Sequence, residues 1–246
     1  MKKLIFLILV VSHICSSAQT KPPSHEIWNT LLKKNVSTSG KVNYKGFIAD
    51  SVQLGKYLKL LSDSKPDEKA WSANEQKAYW INAYNAFTVK LIVKNYPVKS
   101  IKDVGAKMQI PFVNTPWDIK FIKIGNDTYD LNNIEHGKLR KKYGDARVHF
   151  ALVCASKSCP ILLNEAYKAE KLDAQLDAQA KVFLSDKARN DISVDKPKLS
   201  KIFDWYGMDF KSKGVSVIDF VNKYSPTKIN ANAKVSYLDY SWDLNE

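Results

Sequence analysis

The stretch "SANEQKAYWINAYNAFTVKLIVKNYP" (residues 72–97) decides the fold. Ser72 followed by Glu75 is the capping-box signature of a helix start, and Pro97 marks the far limit of that helix. Trp80, Tyr84, Phe87 and Leu91 recur at helical spacing, and from Ala78 to Val93 the remaining faces are apolar as well. A helix apolar nearly all round belongs in the centre of a domain. Asn82 and Asn85 sit on a helix with almost no polar face. A buried amide costs about 1–3 kcal/mol for each group left unsatisfied, so both need partners. Those partners are backbone in the loop "VGAKMQIPFVNTPW" or the turn after Val153, or else a catalytic histidine or a substrate carbonyl.

The segments on either side are consistent with helices packed around that centre. "SHEIWNTLLKK", with Ser24 as N-cap, and "SVQLGKYLKLLSDS" are amphipathic, as is "EAYKAEKLDAQLDAQAKVFLSD" with Leu172, Leu176, Ala180 and Phe183 on one face. A hairpin is expected from "DIKFIKIG" and "TYDL" about a turn at Asn126 and Asp127, and a buried strand from "ARVHFALV". "NNIEHGKLRKKYG" reads as a helix capped by Asn132 or Asn133, with Gly144 past its end. The last third reads as hairpin, helix and strand, with Tyr240 and Trp242 alternating with Asp239 and Ser241. The fold class is α+β: a central buried helix packed with a small, mostly antiparallel sheet and surrounding amphipathic helices. Four segments are expected: 1–18 a leader, 19–70 helical, 71–186 the core, and 187–246 packed on it.

The leader, "MKKLIFLILVVSHICSSA", has two lysines, a short apolar run, and small residues Ser16 and Ala18 at the cleavage positions. The run is too short to span a bilayer, no later segment is a transmembrane candidate, and the chain is expected to be exported to the periplasm or beyond. Without Cys15, the pair Cys154 and Cys159 remains; without Lys2 and Lys3, the net charge falls from +13 to +11. A basic balance favours anionic partners such as an envelope component, and its scatter argues against nucleic acid. The densest cluster, Lys138, Arg140, Lys141 and Lys142, falls on one expected helix.

The chemistry concentrates in "HFALVCASKSCP" (residues 149–160) and the preceding "IEHGKLR". A nucleophilic cysteine needs a base within reach and a site that favours the thiolate. On a strand, alternation would turn His149 away from Cys154, leaving Cys159 the more accessible to His149 or His136. An exported pair this close also suits a disulfide staple, and two inert buried thiols are the third option. His136 and Arg140 share a helix face, while Glu135 points about 100° away, toward His149 or Arg140. There is no H-E-x-x-H and no paired C-x-x-C, so neither a metal nor a cofactor is expected.

The motifs "AYWINAYNAFTVKLIV", "LNNIEHGKLR" and "ARVHFALVCASKSCP", in this order and spacing, resemble the domain-of-unknown-function 547 family, over roughly Trp71 to Asp186. The resemblance implies no agreed reaction or substrate. It does imply that Asn82, Tyr84, Asn85, Glu135, His136, Arg140, His149, Cys154 and Cys159 occupy signature positions. Two functions from different classes fit. The first is a non-catalytic binding module with a Cys154–Cys159 staple, in which Asn85, Tyr84 and Arg140 contact the ligand. The second is a thiol-dependent hydrolase or acyl transferase built from Cys159 or Cys154, His149 or His136, and Glu135 or Asn82.

Overall fold

Helix α4 (Ala73–Asn95) runs through the middle of the molecule, with every residue from Gln76 to Val89 buried. The computed structural model describes residues 21–246 except 106, 111, 112, 212 and 213; the expected leader lies outside the described residues. Both bonds of the capping box form: Ser72 Oγ accepts from the Glu75 N–H at 3.3 Å, and the Glu75 carboxylate accepts from the Ser72 N–H at 2.7 Å. Helices α1 (Glu26–Asn35), α2 (Tyr44–Ala49) and α3 (Ser51–Asp63) cover one side of α4. They are held together by Trp28 stacked on Tyr57 at 5.7 Å and by Phe47. Ser24 is not the N-cap of α1; that position is His25, whose half-buried imidazole lies 2.7 Å from the Tyr57 hydroxyl.

The structure is α+β, but its sheet content is smaller than the sequence pattern suggested. The strands β1 (Ile122–Ile124) and β2 (Asp127–Tyr129) form an antiparallel hairpin. Its turn is Gly125–Asn126, one residue earlier than expected, because Gly125 adopts φ +59° where the turn requires it. The strands β3 (Lys198–Leu199) and β4 (Ser236–Tyr237) pair in parallel as a separate ladder. After β4 the chain runs extended beside the cysteine turn. The Lys157 N–H bonds to the Asp243 carbonyl at 2.8 Å, and Leu244 bridges Ser156.

The largest departure is "ARVHFALV". It is not a strand; Ala146–Phe150 form a 3-10 turn capped by Asp145, whose side chain accepts from the Arg147 N–H. The reason lies in α4. Asn85 donates to the Ala151 carbonyl at 2.8 Å and accepts from the Val153 N–H at 3.0 Å. One side-chain amide thus supplies the two backbone bonds that a neighbouring strand would have made. Asn82 does the same for Tyr167, with bonds of 2.8 and 3.0 Å to its carbonyl and N–H.

Helix α6 (Leu172–Ser185) is shorter than its sequence pattern, which opens instead with a 3-10 turn, Ala169–Lys171. Short helices α7 (Ile202–Trp205) and α8 (Gly207–Phe210) and helix α9 (Val217–Tyr224) gather a second apolar cluster around Phe150, Phe183, Phe203 and Phe210. Within that cluster Phe150 lies 5.9 Å from Phe203 and 5.8 Å from Phe210, which ties α7 and α8 to the 3-10 turn. Among the described residues no helix is long and apolar enough to cross a membrane.

Asn85→Leu leaves one carbonyl and one N–H unpaired in the core, each costing about 1–3 kcal/mol. Denaturant unfolding is therefore expected to show a loss of roughly 2–5 kcal/mol, and a loss below about 1 kcal/mol would show that the clamp is dispensable.

Candidate active site

Residues 131–143 and 146–160 wall one side of a cavity of about 630 Å³, and the last third of the chain closes it with Trp205, Tyr206, Tyr240 and Trp242. The first wall is a π-helix, Asn133–Arg140, continuing into the α-helical turn α5 (Lys141–Tyr143) and ending at Gly144 in the left-handed conformation. Its helical winding starts earlier than expected, and the start is capped by Asp130, which accepts from the Asn133 N–H at 2.6 Å, rather than by Asn132 or Asn133. A π-wound turn widens the spacing of its side chains and recurs at functional sites.

From this helix Glu135, His136 and Arg140 border the cavity, joined by His149 from the 3-10 turn. Arg140 binds Asp209 of α8 through two nitrogens, at 2.6 and 3.1 Å. Its remaining terminal nitrogen lies 2.6 Å from His136 Nδ1. A guanidinium only donates, so His136 accepts at Nδ1 and carries its proton on Nε2. Burial, with Arg140 adding to it against the pull of Glu135, holds His136 below the ordinary imidazole range.

His149 Nε2 lies 2.7 Å from Asp209, whose carboxylate accepts its proton. The ring is sandwiched against Tyr206 at 4.1 Å. Nδ1 makes no hydrogen bond among the described residues; Glu135 Oε1 stands 4.0 Å away, beyond hydrogen-bond range. A His149 ring whose single proton is on Nε2 presents a lone pair at Nδ1. The hydrogen bond from His149, then that from Arg140, hold the Asp209 carboxyl well below the usual carboxylate range against the effect of burial.

The two cysteines differ. Cys159 is buried, with its sulfur accepting from the Cys154 N–H at 2.8 Å, and burial drives its thiol well above the ordinary range. Cys154 is half-buried; its sulfur lies 3.1 Å from both Ser156 Oγ and Tyr240 Oη. Burial opposes its ionisation, but hydrogen bonds from Cys159, Ser156 and Tyr240 outweigh burial and hold Cys154 below the ordinary thiol value. The next residue, Ala155, has φ +58°, the sole non-glycine positive φ among the described residues. This strain, roughly 1–2 kcal/mol, is held in place by burial and by the Asn245 N–H on the Ala155 carbonyl. Strained residues of this kind cluster at active sites.

The structure thus brings Tyr84, Glu135, His136, Arg140, His149, Cys154 and Cys159 to one cavity. It does not bring Asn82 and Asn85 there, because both amides are spent on backbone. Both sulfurs are free thiols, not a disulfide, so the staple is not formed in this structure. The alternation that turned His149 from Cys154 does not apply, since no strand forms there. Among the described residues no group of His, Cys, Asp and Glu is arranged to hold a metal. The lysine-rich cluster is not one basic patch: Arg140 faces the cavity, Lys138 lies over the Trp80 and Tyr129 rings, and Lys142 pairs with Glu68. Sequence reasoning missed Asp209, Tyr206, Ser156 and Tyr240. The one signal for Asp209 was a carboxylate among aromatics in "DWYGMDF".

A family model described as "Protein of unknown function, DUF547" matches residues 68–184. The matched span holds the π-helix, His149 and both cysteines, whereas Asp209 and Tyr240 lie beyond it. No curated protein and no solved structure matches the chain.

Because the folded-state pKa of Asp209 is depressed, its stabilisation is complete above the unfolded carboxylate value of about 3.9 and is lost as pH falls toward the folded one. Asp209→Asn is expected to flatten the fall in melting temperature between roughly pH 4 and pH 2. An acid limb unchanged by the substitution would contradict the network.

Proposed function

The chain belongs to the DUF547 family, and from that premise we propose that it is a thiol-dependent hydrolase or acyl transferase with Cys154 as nucleophile. The observation that carries this reading is the donor set on one cavity-facing sulfur. Ser156 Oγ and Tyr240 Oη both stand 3.1 Å from the Cys154 sulfur, and Tyr240, which accepts from Ser156, keeps its own hydrogen for that sulfur, a support for the thiolate that a staple or an inert core thiol would not need. Of the two sulfurs, Cys159 is the poorer nucleophile; it is buried, accepts from the Cys154 N–H and donates to the Leu152 carbonyl.

His149 supplies the base. Asp209 fixes its Nε2 proton, Tyr206 fixes the ring plane, and Nδ1 keeps its lone pair. In the reaction, the Cys154 proton passes to His149 and the thiolate attacks an acyl carbon. The bond to the leaving group breaks, and that group departs with the proton from His149. Water, deprotonated by His149, then splits the thioester and restores the thiol; another hydroxyl or amine in place of water would complete a transfer. Arg140 is a positioning residue that acts through Asp209 and His136. Glu135 Oε1 lies 4.0 Å from Nδ1.

The proposal places this enzyme outside the cytoplasm, on the strength of the leader read at residues 1–18. The competing binding module rests on the same cavity, with the sulfurs joined.

Incubating the native, reduced protein with p-nitrophenyl acetate tests the reading. One acetyl group is expected on Cys154, absent in Cys154→Ala and slower to form in His149→Gln. Acetylation that ignores Cys154, or that His149→Gln leaves unchanged, would sink the thiol mechanism. Tyr240→Phe removes one donor from the thiolate, so the pH midpoint for alkylation of Cys154 is expected to rise.

A further inference from the structure

The same cavity is lined by three indoles, Trp117, Trp205 and Trp242. Trp205 is 48% exposed although it is a large apolar side chain, and Trp117 and Trp242 are each partly open. Trp205 and Trp242 lie 5.9 Å apart at 22°, nearly parallel, and Trp117 meets Trp242 edge-on at 5.6 Å. Lys102 Nζ sits 4.3 Å above the Trp242 ring. Trp205 keeps about half of its surface in solvent, and an apolar ligand face would cover it.

Polar groups lining the same cavity restrict what such a ligand is. Gln109 spends both of its amide hydrogens on the carbonyls of Lys102 and Val104, and Asn132 donates to Asp118 at 2.7 Å. Their side-chain carbonyls make no hydrogen bond among the described residues, so each amide keeps a free acceptor. A ligand that fits has an apolar C–H face for the indole faces and hydroxyl donors for the acceptors beside them. An acyl chain offers the first without the second.

We propose that this mouth is a carbohydrate subsite and that the substrate is an acylated sugar of a glycan. The sugar part follows from the indoles and acceptors; the acyl part rests on the thiol reading above. The acyl group passes from the sugar oxygen or nitrogen to the Cys154 sulfur, and the sugar leaves with the proton carried by His149. Hydrolysis of the thioester then releases a carboxylic acid and restores the thiol.

Tryptophan fluorescence of the native full chain, titrated with N-acetylglucosamine tetramer, O-acetylated xylotetraose and dodecanoate, tests the subsite. At least one acylated oligosaccharide is expected to bind, with affinity reduced about tenfold or more in Trp205→Ala and largely kept in Trp205→Phe. Trp205 is half-exposed, so the alanine variant is expected to fold. Binding of dodecanoate alone, or of none of the three, overturns the proposal, as does oligosaccharide binding that Trp205→Ala leaves unaltered. The two readings fail separately. Sugar binding without an acetyl adduct on Cys154 removes the thiol mechanism and keeps the subsite, whereas the adduct without sugar binding does the reverse.

Discussion

Asn85 reaches from the most buried face of α4 to the backbone of Ala151 and Val153, and the course of the cavity wall depends on those two hydrogen bonds. An amide in an apolar helix is costly unless both of its ends are satisfied, and here both are. In return, a segment with the composition of a strand is held as a turn, and its polar groups face a cavity instead of a sheet. Asn82 repeats the arrangement at Tyr167, which fixes the approach to α6. The central helix is therefore both the core of the fold and the scaffold of the site.

Two linked sets of charges and donors are mounted on that scaffold. One runs from His136 through Arg140 and Asp209 to His149, so a single carboxylate holds a guanidinium and an imidazole at once. The other runs from Ser156 through Tyr240 to the Cys154 sulfur. The first set fixes the tautomer of each histidine; the second offsets the cost of a thiolate in a half-buried place. Asp209 and Tyr240 come from the last third of the chain, so the site is incomplete without the aromatic cluster that packs that third onto Phe150.

Much of this was legible in the residues. The capping box at Ser72 and Glu75 and the all-round burial of α4 follow from local pattern; the backbone role of its asparagines was one of two readings, and Tyr167 was not among the partners expected for Asn82. The shared face of His136 and Arg140 also follows from local pattern. The turn at Ala146–Phe150 was not legible, because Val148, Phe150 and Leu152 have strand composition and the partner that overrides it lies more than sixty residues earlier, at Asn85. For the same reason Cys159 looked better placed than Cys154. Asp209, Tyr206 and Tyr240 were invisible for a different reason: each is one polar group in an aromatic stretch, and only the packing of α7, α8 and the final extended segment gives it a partner.

The central claim is that Cys154 is a free, ionisable thiol facing the cavity, with Cys159 buried behind it. Intact mass and peptide mapping of the native protein, alkylated near neutral pH without prior reduction, test it most directly. The account predicts one rapid label, on Cys154, and a slow or absent label on Cys159. Two labels that appear only after reduction would show a bridged pair, and a preference for Cys159 would reverse the assignment.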